Sequence, residues 1–372
     1  MKKVISVVGA RPNFMKVAPI YRASLNSNFK HIIVHTGQHY DYNLSDAFFR
    51  DLELPEPDYF LGVGSGSHSE QTAKIMIEFE KILKIEKPDL VIVVGDVNST
   101  IACGLTTVKM GIKLAHIEAG LRSFDKTMPE EINRIATDSI ADYFFVTEES
   151  GLINLNKSGA EPNCIFFVGN TMIDSLVFAL PKIQNSKILN NLGIENNEFA
   201  LITLHRPSNV DEFENLTKFI EVFEYLDKFI KIIFPVHPRT RKKIEEFGLL
   251  DKVNNIKNLI LTEPLPYLDF LKLMKNAKFV LTDSGGIQEE TTFLDVPCLT
   301  LRTTTERPVT IELGTNFLIH PETENIIQAI EEVRKHKPKR KAIPPLWDGQ
   351  ASKRIINIIE EKILNVEINY KN

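Results

Sequence analysis

Residues 282–290, Thr-Asp-Ser-Gly-Gly-Ile-Gln-Glu-Glu, have the composition of a phosphate-binding turn. They follow an apolar run at 279–281, so the pattern predicts a strand, a glycine turn and the start of a helix. Backbone N–H groups at a helix start have no intrahelical partner and lie at the positive end of the helix dipole, where they suit a phosphate or diphosphate. The candidate phosphate contacts are Ser284, Gly285 and Gly286.

Glu290 lies about one helical turn beyond Gly286. Its carboxylate could accept hydrogen bonds from both hydroxyls of a ribose, and a phosphate contact followed by a ribose contact suits a nucleotide. The alternative is an ordinary capped strand–turn–helix connection that binds no ligand.

Three carboxylates in the first half of the chain lie where a predicted strand ends or a predicted helix begins. They are Asp96, after the run 90–94, Glu118, after the run 114–117, and Glu130, in the first turn of a predicted helix. Carboxylates in different environments can divide the roles of general acid and general base. Singly, each has an alternative, because Asp96 could be a helix cap and a first-turn Glu is favoured by the helix dipole.

Arg11 and Lys16 follow the first predicted strand, in a loop and an opening helix. Two cations near a helix start suit a diphosphate, although both could be ordinary surface charges. His205 follows a predicted strand at 200–204, and His237 has a similar placement between prolines. Arg307 could reach a phosphate or pair with its neighbour Glu306.

Short apolar runs alternate with amphipathic segments along the whole chain, and the runs are apolar almost throughout. This pattern predicts an α/β protein with parallel, doubly wound sheets. The predicted strands are 4–8, 32–35, 90–94, 114–117, 143–146, 165–168, 200–204, 232–235, 259–261, 279–282 and 298–301. We predict two Rossmann-like domains, 1–170 and 171–350, facing a central cleft, and a C-terminal helix at 351–372 that could pack back on the first domain, which periodicity alone does not show.

The bulk composition excludes several classes of protein. A net charge of −5 gives no general attraction to nucleic acid, and no apolar stretch is long enough to span a membrane. Three widely spaced cysteines fit reduced thiols in a cytoplasmic protein. The chain has no HExxH, GxGxxG, Walker A or GxSxG sequence, so we predict no metal site and no covalent nucleophile.

Taken together, the motifs resemble the non-hydrolysing UDP-N-acetylglucosamine 2-epimerases over nearly the whole chain. The matching segments are Gly9-Ala10-Arg11-Pro12 with Lys16, Gln38-His39, Gly95-Asp96, 116–122, 129–134, 168–171, His205-Arg206, 235–237, 283–290 and 305–308. The resemblance implies a GT-B fold, no added cofactor, a UDP-sugar substrate and a homodimer.

The resemblance also implies an elimination mechanism. UDP leaves across C1–C2 of the sugar to give bound 2-acetamidoglucal and then adds back, with the proton delivered to the opposite face. The products are UDP-GlcNAc and UDP-ManNAc in equilibrium.

Roles carry over from the family motifs to matching positions of this chain. Asp96, Glu118 and Glu130 resemble the catalytic acids, and His205 a catalytic or phosphate-contacting residue. The implied substrate contacts are Arg11, Lys16, Arg134, His237, Phe270 beside the uracil, Ser284, Gly285, Gly286, Glu290 at the ribose, and Arg307.

Departures from the family pattern leave some properties open. Asn13 follows Pro12 where the family often has Glu, Pro207 follows the His-Arg pair where many members have Arg, and Tyr40 follows Gln38-His39 where they have Arg. The last change puts activation by a second substrate molecule in doubt. The alternatives are an epimerase of a modified UDP-HexNAc such as a 2,3-diacetamido uronate, a GT-B glycosyltransferase, and a nucleotide-sugar-binding regulator without turnover.

Overall fold

The computed structural model describes residues 1–38, 51–195, 198–336 and 338–365, without the side chain of Arg11. The chain forms two compact units. The first comprises Met1–Ala179 and the C-terminal segment from Pro345 onward, and the second comprises Leu180–Pro344.

The first unit contains a seven-stranded parallel sheet in the order β3-β2-β1-β4-β5-β6-β7. Its strands are β1 Lys2–Val8, β2 Phe29–His35, β3 Tyr59–Phe60, β4 Leu90–Val94, β5 Lys113–Ile117, β6 Tyr143–Val146 and β7 Ile165–Phe167. The connecting helices are α1 Arg11–Ser24, α2 His68–Glu86, α3 Asn98–Lys109, α4 Pro129–Ile140, α5 Glu149–Lys157 and α6 Thr171–Ala179, with a 3₁₀ turn at Pro162–Cys164.

The second unit contains a six-stranded parallel sheet in the order β10-β9-β8-β11-β12-β13. Its strands are β8 Phe199–Thr203, β9 Lys231–Pro235, β10 Leu259–Thr262, β11 Phe279–Thr282, β12 Cys298–Leu301 and β13 Asn316–Ile319. Its helices are α7 Ile188–Asn191, α8 Pro207–Val210, α9 Phe213–Leu226, α10 Pro238–Glu246, α11 Leu250–Asn254, α12 Tyr267–Asn276, α13 Gly285–Leu294, α14 Val309–Glu312 and α15 Thr323–Lys335, with a 3₁₀ turn at Lys182–Asn185.

The central strands are buried on both faces, which explains their uninterrupted apolar sequences. All eleven predicted strands are present in this structure, with small shifts at their ends. The sequence missed β3 and β13. Strand β3 has only two residues, and β13 is a four-residue edge strand in which Phe317 is exposed and Leu318 and Ile319 are only partly buried.

The C-terminal helix α16, Ala351–Ile358, belongs to the first unit and continues into a π-helical turn, Ile359–Ile363. It contacts α1 and α6. Asp174 in α6 accepts hydrogen bonds from the backbone N–H groups of Ala351 and Ser352, at 3.1 and 2.7 Å.

In this structure the first compact unit extends to Ala179, beyond the predicted domain boundary at residue 170. Helix α6 lies in the first unit because it packs on α1, where the hydroxyl of Ser175 donates to the carbonyl of Met15 at 2.5 Å. The predicted C-terminal segment 366–372 lies outside the described residues.

Candidate functional site

Each sheet has a point at which the strand order reverses, between β1 and β4 in the first unit and between β8 and β11 in the second. Ligands of doubly wound sheets bind beyond the carboxyl ends of the strands at such a point. The segments that follow these strands carry Asp96, His205 and Ser284, so each unit places predicted site residues at its own switch point.

Asp96 is held by a cation from helix α4. Arg134 is buried and donates to the carboxylates of both Asp96 and Glu131. Asn133 donates to the backbone carbonyl of Asp96 at 2.9 Å. Helix α4 therefore fixes the backbone and the side chain of Asp96, and Arg134, predicted as a substrate contact, also serves as the ion-pair partner of this acid.

Glu118 is paired with Lys16, and both side chains are buried. The glutamate has a left-handed backbone conformation, with φ of 69°, which is uncommon for a residue other than glycine. A left-handed conformation strains the backbone of a residue with a side chain, so it persists only where the surroundings impose it, and such residues are concentrated at functional sites. The structure thus brings together two predicted residues that lie far apart in the sequence.

A cavity of about 230 Å³ in the first unit holds two of the three predicted acids, Asp96 and Glu130. Its wall also includes Gln38, His68 and the amide of Asn133. Glu118 is not part of this lining but lies beside Gly95, where a Cβ atom would be 3.4 Å from its Oε2. Glu118 and Glu130 therefore both lie near the Gly95–Asp96 turn.

Two predictions in this unit fall outside what the structure describes. The side chain of Arg11, at the start of α1, is not described, and His39 of the Gln38-His39 motif lies among the undescribed residues. The role predicted for Arg11 stays a prediction.

In the second unit, Ser284 is the N-cap residue of α13 and Gly285 and Gly286 form its first turn, as the sequence predicted. Gly285 lies against charged side chains. A Cβ atom there would be 2.9 Å from Oε1 of Glu306 and 3.3 Å from Nη1 of Arg307. Glycine is required at this position because the backbone passes so close to a buried ion pair.

Arg307, predicted either to reach a phosphate or to pair with Glu306, is buried beneath this helix start and pairs with Glu306. Its Nε lies 2.7 Å from Oε1 of Glu289. Arg302 pairs with the second oxygen of Glu306 at 2.9 Å. Two arginines and two glutamates thus form a neutral cluster that supports the turn.

His205 is 40% exposed, and its Nδ1 lies 2.8 Å from Oδ1 of Asp283. Asp283 is fully buried and also accepts from the backbone N–H groups of His205 and Arg206. Burial acts to raise the pKa of Asp283, but the His205 contact and these N–H groups lower it to about 2. The ionised aspartate therefore fixes the orientation of the His205 ring.

His237 is the N-cap residue of α10, where its Nδ1 accepts from the backbone N–H of Arg239 at 3.2 Å. Its ring centroid lies 5.7 Å from that of His205. The two predicted histidines are therefore neighbours, and His237 has a capping contact in addition to the substrate contact predicted for it.

Glu290 is buried, and its Oε1 accepts from the hydroxyl of Tyr267 at 2.7 Å. Burial raises the pKa of Glu290 to about 7, against the opposing effect of the Tyr267 hydrogen bond. Phe270, one turn after Tyr267 on α12, is half-buried and packs against the apolar cluster of this unit.

Sequence reasoning missed three residues that hold these groups in place: Glu131, Tyr267 and Asp283. Asp283 precedes Ser284 at the end of a strand, a position that is itself a signal for function. Glu131 accepts from the backbone N–H groups of Ser123 and Phe124, and these hydrogen bonds fix the loop before α4. The sequence alone does not show that Glu131 is buried and its neighbour Glu130 exposed, because both are glutamates.

Over the described ranges 1–38, 51–195, 198–336 and 338–365, no cluster of three or more His, Cys, Asp or Glu side chains could hold a metal ion. In the same part of the chain, no helix is long and apolar enough to cross a membrane.

Comparison with known proteins identifies the family. Residues 22–360 match the family model described as UDP-N-acetylglucosamine 2-epimerase. The chain is 45% identical over 362 residues to the UDP-N-acetylglucosamine 2-epimerase of Methanocaldococcus jannaschii, covering 96% of this chain and 98% of the relative. It is 38% identical over 332 residues to a UDP-2,3-diacetamido-2,3-dideoxy-D-glucuronate 2-epimerase of Pseudomonas aeruginosa, covering 88% and 91%.

The crystal structure of the M. jannaschii UDP-GlcNAc 2-epimerase in complex with UDP-GlcNAc and UDP is also similar, with a TM-score of 0.89 and 44% identity. The match covers 97% of this chain and all of that one. Together with the two doubly wound sheets, this likeness confirms the predicted α/β class of the GT-B type. The chain belongs to the UDP-N-acetylglucosamine 2-epimerase family.

Proposed function

We propose that this protein interconverts UDP-GlcNAc and UDP-ManNAc by eliminating UDP and adding it back. The observation that carries the proposal is the group of acids around the Gly95–Asp96 turn, in which Asp96 is paired with Arg134 and Glu118 with Lys16. Glu130 is exposed and lines the same cavity as Asp96. The similar M. jannaschii structure is a complex with UDP-GlcNAc and UDP, which supports a UDP-sugar as substrate.

The chemistry explains why several acids are needed. The proton on C2 of the sugar is not adjacent to a carbonyl, so direct removal and return is slow. In the proposed step a carboxylate takes this proton, the C2–H electron pair forms the C1=C2 bond, and the C1–O pair leaves with UDP. UDP oxygen then adds back to C1 while a proton reaches the opposite face of C2. Acids on different elements can serve the two faces.

The second unit supplies groups suited to the nucleotide. The N–H groups at the start of α13 suit the diphosphate, because a helix N-terminus stabilises negative charge without a metal ion. Glu290 suits the ribose hydroxyls, Phe270 the uracil, and Arg307 holds the turn on which the diphosphate would lie. His205, oriented by Asp283, is suited to contact the phosphate or to transfer a proton.

Incubation with UDP-GlcNAc in heavy water, followed by NMR, tests the proposal. UDP-ManNAc should form and carry deuterium at C2, because the abstracted proton exchanges with solvent before it is returned. Conversion without deuterium at C2 would exclude the elimination mechanism, and the absence of UDP-ManNAc would exclude the activity.

A modified UDP-HexNAc is the second candidate substrate, because of the similarity to the P. aeruginosa enzyme named for a 2,3-diacetamido uronate. A panel containing UDP-GlcNAc and UDP-2,3-diacetamido-2,3-dideoxy-D-glucuronate distinguishes the two. A kcat/KM for the uronate above that for UDP-GlcNAc would assign the modified sugar.

A further inference from the structure

A fully buried histidine, His116 in β5, lies at the centre of a polar cluster next to the candidate acids. Its Nδ1 lies 2.7 Å from Oδ1 of Asp138 in α4, and its Nε2 lies 2.8 Å from the carbonyl oxygen of Gly95. The second oxygen of Asp138 accepts from the N–H of Gly120 at 3.0 Å and from Arg122 at 2.5 Å.

Both ring nitrogens of His116 therefore face hydrogen-bond acceptors. A neutral imidazole carries one N–H and one lone pair, so one of the two contacts would set a lone pair against an acceptor. A carbonyl oxygen can only accept, and Asp138 could donate only if it were protonated. Arg122 and the N–H of Gly120 both donate to Asp138 and so oppose that protonation.

The cluster joins the three segments that carry the candidate acids. Gly95 immediately precedes Asp96 and has a positive φ of 66°. Glu118 lies two residues after His116 on the segment that Gly120 continues. Asp138 belongs to α4, the helix that also carries Glu130 in its first turn.

We propose that His116 is held as the imidazolium cation and acts as a positioning residue for Asp96, Glu118 and Glu130. The role rests on the proposed function, whereas the charge state rests on hydrogen-bond geometry alone. The cation donates to Asp138 and to Gly95 at once and so fixes the separation between the 95–96 turn and α4. Preorganisation of this kind governs rate, since a misplacement of about 1 Å can cost about 100-fold.

The charge state is tested by NMR on the wild-type chain labelled with ¹⁵N-histidine. The ring signals of His116 are assigned through its backbone in β5. The proposal expects protons on both ring nitrogens at neutral pH. A single ring proton overturns it.

The positioning role is tested with Asp138→Asn and the matched control Asp142→Asn. Like Asp138, Asp142 accepts from one backbone N–H, that of Leu114, and from one cation, Lys113, but it does so at the opposite end of β5. Asp138→Asn should lower kcat about 10- to 100-fold with little change in KM. The control should lose stability without this selective loss of kcat.

Equal losses of kcat in the two variants, in proportion to their losses of melting temperature, would overturn the positioning role. If Asp138→Asn does not fold, Arg122→Gln removes one donor to Asp138 and should show the same pattern at a smaller size. The ring-proton measurement needs no turnover, so its result is independent of whether the heavy-water experiment supports the proposed function.

Discussion

The acids around the site of the first unit and the candidate ribose contact of the second, Glu290, have different kinds of partner. In the first unit Asp96, Glu118 and Asp138 each lie against a cationic side chain, Arg134, Lys16 and Arg122 respectively. In the second unit Glu290 lies against the neutral hydroxyl of Tyr267. Burial is similar for Glu118 and Glu290, so the partner and not the depth distinguishes them.

The difference has a consequence for charge. A buried carboxylate beside a cation stays ionised, because the opposite charge offsets the lost hydration. In the part of the chain that the structure describes, the hydrogen-bond partner of Glu290 is the Tyr267 hydroxyl and not a cation, and burial raises its pKa to about 7. The first unit thus places two of its candidate acids beside cations, and the second holds a carboxyl group that is half protonated near neutral pH and suited to hydroxyl contacts.

The largest expected effect separates the two units by function. Asp96→Asn, Glu118→Gln and Glu130→Gln should each reduce kcat by about 10²- to 10⁴-fold, the range expected for a lost general acid or base. Calorimetric UDP binding should survive, because the proposed contacts to the uracil, to the ribose and at the start of α13 lie in the second unit.

Glu149→Gln is the matched control for this series, since Glu149 is also an exposed first-turn acid of a helix in the first unit. Its turnover should equal that of the wild type. Near-normal rates in all three acid variants would remove the catalytic assignment, and lost UDP binding would contradict the division of roles.

A second test uses the raised pKa of Glu290. Because the folded state holds the proton of Glu290 more tightly than the unfolded state, the contribution of Glu290 to the stability is greatest below pH 4.5 and is lost as the pH rises to about 7. Once the pH is above 7, this lost contribution to the free energy of unfolding amounts to about 3 kcal/mol. Glu290→Gln cannot ionise, so its stability relative to the wild type should rise by about that amount between pH 4.5 and 8.

Urea unfolding of both proteins at pH 5 and pH 8 measures this difference. The same variant should bind UDP more weakly, because a carboxylate accepts from two ribose hydroxyls and an amide oxygen does so less well. If the free energies of unfolding of the two proteins changed equally between pH 5 and pH 8, Glu290 would be ionised over this whole range.

The architecture could be predicted because it depends on local patterns. Strands such as Leu90–Val94 are buried on both faces and therefore read as unbroken apolar runs. The turn at Ser284–Gly286 could also be predicted from a local pattern, because the strand, the glycines and the helix follow one another directly in the sequence. The site residues that follow strands could be proposed from this order alone.

The ion-pair partners of the site residues could not be predicted, because they come from distant parts of the chain that only the folded structure brings together. Lys16 and Glu118 are 102 residues apart, and no spacing rule pairs them. Glu130 and Glu131 have the same side chain in successive positions, yet one lines a cavity and the other is buried against Arg134. Successive helical residues point about 100° apart, so only the packing of α4 decides which acid lies inside.

A third test examines the close approach at Gly285. Gly285→Ala would place a methyl group 2.9 Å from the buried carboxylate of Glu306, which is held by Arg302 and Arg307 and cannot move freely. We expect a loss of about 1–3 kcal/mol in stability from this overpacking. UDP affinity should fall about tenfold, because the first turn of α13 shifts.

Gly104→Ala is the control for this substitution. Gly104 is a helical glycine in the first unit whose nearest neighbour to an added Cβ would be the flexible end of Leu114, at 3.3 Å. Its UDP affinity should match that of the wild type. Wild-type UDP affinity in Gly285→Ala would place the diphosphate away from this turn.

The smallest expected effect comes from Tyr267→Phe, which removes the neutral hydroxyl that donates to Glu290. The lost hydrogen bond should cost about 1 kcal/mol and push the pKa of Glu290 further above its ordinary value, because the hydroxyl favours the ionised form. The decline of stability with pH should therefore shift to higher pH than in the wild type, while kcat stays close to normal. Urea unfolding across the pH range checks the shift. A decline that moves to lower pH would mean that the hydroxyl stabilises the protonated carboxyl, and the contrast between a cation partner and a hydroxyl partner would then lose its electrostatic basis.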